Sequence, residues 1–90
     1  MKVIVISEEN HGNIGIAADY YSAIHFLIQH YWITDREEVW DSNSSTWVPA
    51  IDIFGEKWME NLFNWGIEKF NEFFGEGSIR LKEEEVITYK

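Results

Sequence analysis

The sequence predicts one α+β domain over residues 1–90, with about three helices on one face of a small, mainly antiparallel sheet of four or five strands. Three features predict this class. A β-branched run opens the chain, a polar loop of hairpin length separates two tryptophan-containing segments, and other segments carry apolar residues at helical spacing. Ninety residues without a linker or an internal repeat fit a single domain.

The N-terminal part is predicted to form two strands and one helix. Residues 2–6 are typical of a central strand that is covered on both faces. Residues 14–17 follow a loop of turn-forming residues and predict a short antiparallel return strand. Asp19 is a candidate N-cap, and a helix is expected over residues 19–31. Its apolar stripe comprises Tyr20, Ile24, Leu27, Ile28 and Tyr31.

The C-terminal part is predicted to contain a hairpin, two helices and a last strand. Residues 38–41 and 46–48 flank the polar loop 42–45, and Pro49 closes the second strand. Helical spacing predicts a main helix over 56–64, which Gly55 divides from a short preceding turn, and another helix over 67–74. The final strand is expected to begin at Ile79, to be broken at residues 83–85, to resume over residues 86–89 and to lie beside the first strand.

The composition indicates recognition more than chemistry. Aromatic residues make up 17% of the chain and include five tryptophans, while the formal net charge is −9 and cysteine is absent. Aromatic side chains dominate interface energetics, and an acidic surface selects cationic partners. The same charge repels phosphate, so direct nucleic-acid binding is not expected. No segment has the length of a membrane span, and we expect a soluble cytoplasmic protein without a membrane partner.

The loop around His11 is the densest group of reactive side chains. Glu8, Glu9 and His11 follow the first strand, where active-site loops often lie. However, the sequence singles out no nucleophile and no oxyanion donor to accompany His11, so a solvated turn is the favoured interpretation. His25 and His30 are badly placed on their helix to share a metal ion. We therefore expect no catalytic residue, no metal site and no cofactor.

Rows of glutamate are the main charged feature. Glu56 and Glu60 are four residues apart on the predicted second helix, and Glu68 and Glu72 repeat this spacing on the third. Glu76 continues the second row, and Glu83–Glu85 are consecutive. Like charges at this spacing disfavour a helix, so another role is indicated. One hypothesis is a carboxylate array that imitates a phosphate backbone in the basic groove of another protein, and the alternative is solubility alone.

The tryptophans allow two interpretations. Trp58, Leu62 and Trp65 form one apolar stripe, while Met59 and Phe63 form an adjacent one. Either the sheet and the third helix cover both stripes, or one stripe docks a partner or a second copy of the chain. Trp40 and Trp47 flank the polar loop and are expected to pair across a hairpin or to anchor a partner.

These patterns indicate a small non-enzymatic domain that binds another protein. Its candidate binding residues are Trp40, Trp47, Glu56, Glu60, Glu68 and Glu72. In size and charge the chain resembles small acidic proteins of phages and other mobile elements, some of which block host nucleic-acid enzymes, including anti-CRISPR inhibitors. The resemblance implies inhibition of a nucleic-acid-binding protein and assigns no residue. The alternatives are a homodimer with an aromatic interface and an enzyme that uses the His11 loop.

Overall fold

The computed structural model describes residues 1–75 and 78–86, which form an α+β fold. In this part of the chain five strands, all in antiparallel pairs, accompany four helices. The α+β class and the antiparallel pairing predicted from the sequence are confirmed. In chain order the elements are β1 (Lys2–Glu8), β2 (Gly12–Ala17), α1 (Tyr20–Gln29), β3 (Glu38–Asp41), β4 (Thr46–Pro49), α2 (Ala50–Phe54), α3 (Trp58–Leu62), α4 (Ile67–Phe74) and β5 (Ile79–Glu85).

The strands divide between two sheets, whereas one sheet was expected. The larger sheet has the order β2-β1-β5, and β3 pairs with β4 in a separate hairpin. The neighbouring positions of the first and last strands are confirmed. A side chain from α4 closes the outer edge of β5. Asn71 Nδ2 donates to the Leu81 carbonyl oxygen at 2.7 Å, and the Leu81 amide donates to Asn71 Oδ1 at 2.9 Å. The hairpin therefore has no access to that edge at Leu81.

The central strand β1 is covered on one face only. Ile4, Ile6 and Glu8 are buried, while Val3 and Val5 on the other face are half-exposed. The expectation of two covered faces was wrong, because the helices that bury Ile4 and Ile6 all contribute to one core. This core joins β1 and β5 to α1, α3 and α4. Its fully buried larger side chains include Ile6, Ile24, Leu27, Trp58, Leu62, Phe70 and Leu81.

Local backbone geometry sets where the helices end. The Asp19 side chain caps α1 by accepting a hydrogen bond from the Ser22 amide at 2.8 Å, as predicted. The helix ends at Gln29 instead of residue 31, because Tyr31 adopts a left-handed φ of 62°. The helix predicted over 56–64 is shorter, since Gly55 and Gly66 both have φ of 88° and residues 63–65 form a turn. The predicted division at Gly55 is confirmed, and α4 has its predicted bounds.

The last strand runs without a break through its three glutamates, so the predicted interruption at residues 83–85 was wrong. Each glutamate is paired with a cation. Glu83 lies 3.3 Å from the Lys2 ammonium, Glu84 lies 3.5 Å from Lys82, and Glu85 lies 2.9 Å from the N-terminal amino group. Pairing with β1 and these ion pairs offset the repulsion between neighbouring carboxylates. The predicted strand residues 87–89 lie outside the described residues.

Within the described ranges, no helix combines the length and the apolar character that spanning a bilayer requires.

Candidate functional site

The β3–β4 hairpin presents two of the predicted binding residues side by side. Trp40 and Trp47 are directly opposite each other in the ladder, and their ring centroids are 5.5 Å apart in an edge-to-face arrangement. Trp40 is half-buried, and Trp47 is 38% exposed. The predicted cross-strand pair is therefore present. The same pairing fixes the position of the Trp40 ring relative to the hairpin backbone.

Asp41 holds the hairpin loop in a defined turn. Its Oδ1 accepts a hydrogen bond from the Asn43 amide at 3.0 Å, and its Oδ2 accepts one from the Ser44 hydroxyl at 2.8 Å. Both bonds are typical of an aspartate that begins a turn. Each carboxylate oxygen of Asp41 keeps a further lone pair for a donor outside the chain.

A cleft of about 310 Å³ opens where this hairpin meets α2 and α4. The helix α4 packs against β3, which brings Glu72 and Phe73 to the same cavity as Trp40. The wall combines aromatic and aliphatic carbon with two carboxylates and a polar loop. The lining residues are Trp40, Asp41, Ser42, Asn43, Ile53, Glu72 and Phe73.

Among the described residues, the charged side chains that line the cleft are both acidic. Asp41 and Glu72 are its charged lining residues. The salt bridges of the described ranges join other residues, so no cation of that part of the chain neutralises either carboxylate. The nearby helix cation is engaged elsewhere, since the Lys69 ammonium lies 4.8 Å from the Trp65 ring centroid and 5.4 Å from that of Phe54. The cleft is thus ready to accept a positively charged group.

The structure distributes the six predicted binding residues unequally. Trp40 and Glu72 line the cleft, and Trp47 contacts Trp40. Glu68 is exposed one turn before Glu72 on α4, so the predicted row on this helix is present. Glu60 is exposed on α3.

Two parts of the predicted glutamate array differ from expectation. Glu56 lies in the turn before α3, so it does not share a helix with Glu60 as predicted. The glycine conformation at Gly55 delays the start of the helix and causes this difference. The carboxylates of Glu83–Glu85 are occupied by the ion pairs of β5. Glu76 falls outside the described residues.

The apolar stripes of the middle helix belong mainly to the core. Trp58 and Leu62 are fully buried, while Met59, Phe63 and Trp65 are half-buried against the core. Met59 also lines a second groove of about 270 Å³ with Ile28, Tyr31, Ile33, Thr34 and Asp35. Tyr31 is 84% exposed at this groove. The core interpretation therefore accounts for Trp58 and Leu62, and the partner interpretation stays open for the groove.

His11 takes part in a compact turn. Its Nδ1 lies 2.8 Å from Glu8 Oε2. Its ring packs edge-on against the Trp32 ring, with 5.3 Å between the two ring centroids. The hydrogen bond with His11 lowers the pKa of Glu8 most, and that from the Asn10 amide adds to this, while burial acts in the opposite direction. In the described ranges no three His, Asp or Glu side chains are grouped so that they could hold a metal ion.

Sequence reasoning missed most of the cleft wall. Asp41, Asn43, Ile53 and Phe73 were not among the predicted binding residues, although they lie beside Trp40 and Glu72. One signal was available: an aspartate immediately before a Ser-Asn-Ser-Ser loop favours the turn that Asp41 makes. Nothing in the local pattern indicated that Ile53 or Phe73 faces the hairpin.

Comparisons with known proteins give no family for this chain. No protein-family model, curated protein or solved structure matches it. The contacts and charges of the cleft are therefore the observations from which its chemistry is inferred.

Proposed function

We propose that this chain is a cytoplasmic, non-catalytic interaction domain that binds a basic surface of another protein. The binding face comprises Trp40, Trp47, Glu68 and Glu72. The observation that carries the proposal is the meeting of Trp40 and Glu72 at one cleft, since they come from a hairpin and a helix that are distant in the sequence. A central aromatic anchor surrounded by charge of one sign is a common arrangement in protein interfaces.

The specific form of the proposal is inhibition of a nucleic-acid-binding protein by charge mimicry. Glu68 and Glu72 are exposed, lie four residues apart on α4 and therefore share one face of the helix. A basic groove that accepts phosphate oxygens also accepts carboxylate oxygens. Glu83–Glu85 are not part of this face, because intramolecular cations already pair with them.

The first experiment identifies the partner. The immobilised chain is exposed to a lysate of its source cell at low salt, and bound proteins are eluted at high salt and identified by mass spectrometry. A basic nucleic-acid-binding protein that salt releases is the expected result, because screening weakens attraction between opposite charges. Recovery of no protein other than the chain itself contradicts the proposal.

The second experiment locates the binding face. We expect the double variant Glu68→Lys/Glu72→Lys to lose the partner and to keep its circular dichroism spectrum, because both side chains are exposed. The control is Glu9→Lys/Asp35→Lys, which changes the net charge equally at exposed positions outside the cleft wall. Equal binding by the two double variants argues against a local acidic face. His11→Ala is expected to leave partner binding unchanged.

A homodimer is the second candidate. It is favoured by large apolar side chains that are mostly exposed, namely Ile16 at 72%, Tyr21 at 63% and Tyr31 at 84%. Association of two copies would remove apolar surface of this kind from water. A mass in solution twice that of the 10.7 kDa chain supports this candidate.

A further inference from the structure

The cleft beside Trp40 has the size and the wall of a site for a single side chain. Its volume is about 310 Å³, and its wall combines the apolar surfaces of Trp40, Ile53 and Phe73 with the carboxylates of Asp41 and Glu72. A long side chain with an apolar stem and a cationic end matches this division, because the stem packs on carbon while the charge meets the carboxylates. The only two side chains of this kind in proteins are lysine and arginine.

The arrangement of acceptors favours arginine over lysine. A planar guanidinium stacks on an aromatic ring and still directs N–H donors outward in its plane, whereas an ammonium is a compact point charge. Asp41 is already oriented by its bonds to Asn43 and Ser44, so its remaining lone pairs have fixed directions. An acceptor that is positioned before binding loses little entropy when the ligand arrives.

We propose that the cleft binds an arginine side chain of the partner, with the guanidinium over the Trp40 ring and its N–H groups donating to Asp41 and Glu72. This inference rests on the proposed function, because the arginine belongs to the basic partner surface. It adds the chemical identity of the group that enters the cleft. Charge complementarity carries it: the wall has two carboxylates, and the described part of the chain supplies no cation to them.

The test uses three short peptides, acetylated and amidated, that differ only at one central residue: arginine, lysine or citrulline. Each is titrated into the full chain and followed by NMR. The arginine peptide is expected to shift the Trp40 indole and the Asn43 and Phe73 amide signals, with a Kd on the order of 1 mM for one side chain. Lysine is expected to bind about fivefold more weakly, and neutral citrulline to cause no saturable shift.

A conservative variant tests the Glu72 carboxylate without a change of shape. Glu72 is exposed, so the Glu72→Gln variant is expected to fold normally. We expect this variant to bind the arginine peptide about fivefold more weakly. The matched control is Glu9→Gln, which removes the same charge at an exposed position outside the cleft wall and the binding face and is expected to retain binding. Equal affinity for the arginine and lysine peptides overturns the inference, as does equal weakening by the two variants.

The two proposals fail in different ways. If the lysate partner binds through Glu68 and Glu72 but the arginine peptide does not shift the cleft signals, the arginine inference is wrong and the proposed function stands. If the peptide binds in the cleft but the lysate contains no partner, the proposed function is wrong and the cleft remains an arginine site.

Discussion

Tyr31 occupies a backbone conformation that glycine normally adopts. It lies just beyond α1 with a φ of 62°, and the helix end is closed by hydrogen bonds from the Tyr31 amide to the Ile28 carbonyl and from the Trp32 amide to the Leu27 carbonyl. These bonds define a Schellman motif, whose left-handed position favours glycine. The tyrosine ring is 84% exposed, so its packing offsets little of the strain.

We expect Tyr31→Gly to raise the free energy of unfolding by about 0.5–1 kcal/mol, because relief of left-handed strain exceeds the added entropy of the unfolded chain. Urea denaturation measures this change. Tyr31→Ala is the control, since it removes the ring but keeps the strain and is not expected to stabilise the protein. Equal stability of the glycine and alanine variants contradicts this account.

Glu8 makes stability depend on pH at the acidic end. Its hydrogen bonds with His11 and Asn10 lower the pKa of the carboxyl from its ordinary value of 4.5, despite the opposing effect of burial. A folded-state pKa below the unfolded value stabilises the protein above pH 4.5, and this stabilisation disappears as the pH falls through the folded value. We therefore expect the wild type to lose more stability on acidification than Glu8→Gln, as measured by urea denaturation at a series of pH values.

Glu37 provides the opposite control. Burial raises its pKa, and the adjacent Glu38 acts in the same direction, while the Thr34 amide lowers it. When the pKa of an acid is higher in the folded state than in the unfolded state, the folded protein loses stability as the pH rises above the unfolded-state pKa. We therefore expect Glu37→Gln to gain stability relative to the wild type toward neutral pH. Parallel pH profiles of the wild type and Glu8→Gln are the result that contradicts the role assigned to Glu8.

At the scale of elements, α4 acts as a lateral cover for the sheet. Through Asn71 it satisfies both backbone groups of Leu81 at the outer edge of β5. An unpaired strand edge invites pairing with another chain, and a covered edge does not. The same helix also exposes Glu68 and Glu72 to solvent, so α4 joins the sheet edge to the proposed binding face.

We expect Asn71→Ala to lower the free energy of unfolding by about 1–3 kcal/mol, because it leaves a backbone donor and acceptor without their partner. Hydrogen exchange at the Leu81 amide is expected to accelerate more than at β1 amides. Asn71→Asp is a matched variant that keeps an acceptor for the Leu81 amide but loses the donor to its carbonyl, so it is expected to stay destabilised. Unchanged exchange at Leu81 in the alanine variant is incompatible with edge closure.

At the scale of the whole molecule, a net charge of −9 governs association. Salt screens the attraction to a basic partner and therefore weakens that binding. Salt also screens the repulsion between two copies of this acidic chain and therefore favours their association. The sign of the salt effect therefore separates the two candidate functions.

We expect an increase in ionic strength from about 0.05 M to about 0.5 M to weaken binding of the basic partner at least about tenfold, mainly through a slower association rate. Surface plasmon resonance at the two salt concentrations measures both rates. Sedimentation equilibrium under the same conditions is the companion measurement, and a mass that doubles at high salt favours the homodimer instead.

Local sequence patterns were sufficient for most elements. The β-branched run of β1, the hairpin around residues 42–45 and α4 were predictable, because alternation, turn-forming residues and helical spacing act over a few neighbouring residues. The aromatic and acidic character of the proposed binding face also follows from the sequence, since Trp40 and Glu72 stand out by residue type alone. The N-cap at Asp19 was also predictable, because its hydrogen bond reaches only to the Ser22 amide three residues away.

The tertiary structure alone decided how these parts meet. The strands of residues 1–75 and 78–86 divide into two sheets at an edge that Asn71 closes. The strand β5 continues through its glutamates because Lys2 and the N-terminal amino group lie beside them. The cleft forms because α4 packs on β3, which places Glu72 near Trp40. Such contacts join segments far apart in the chain, and their free energy depends on packing that no short window of sequence contains.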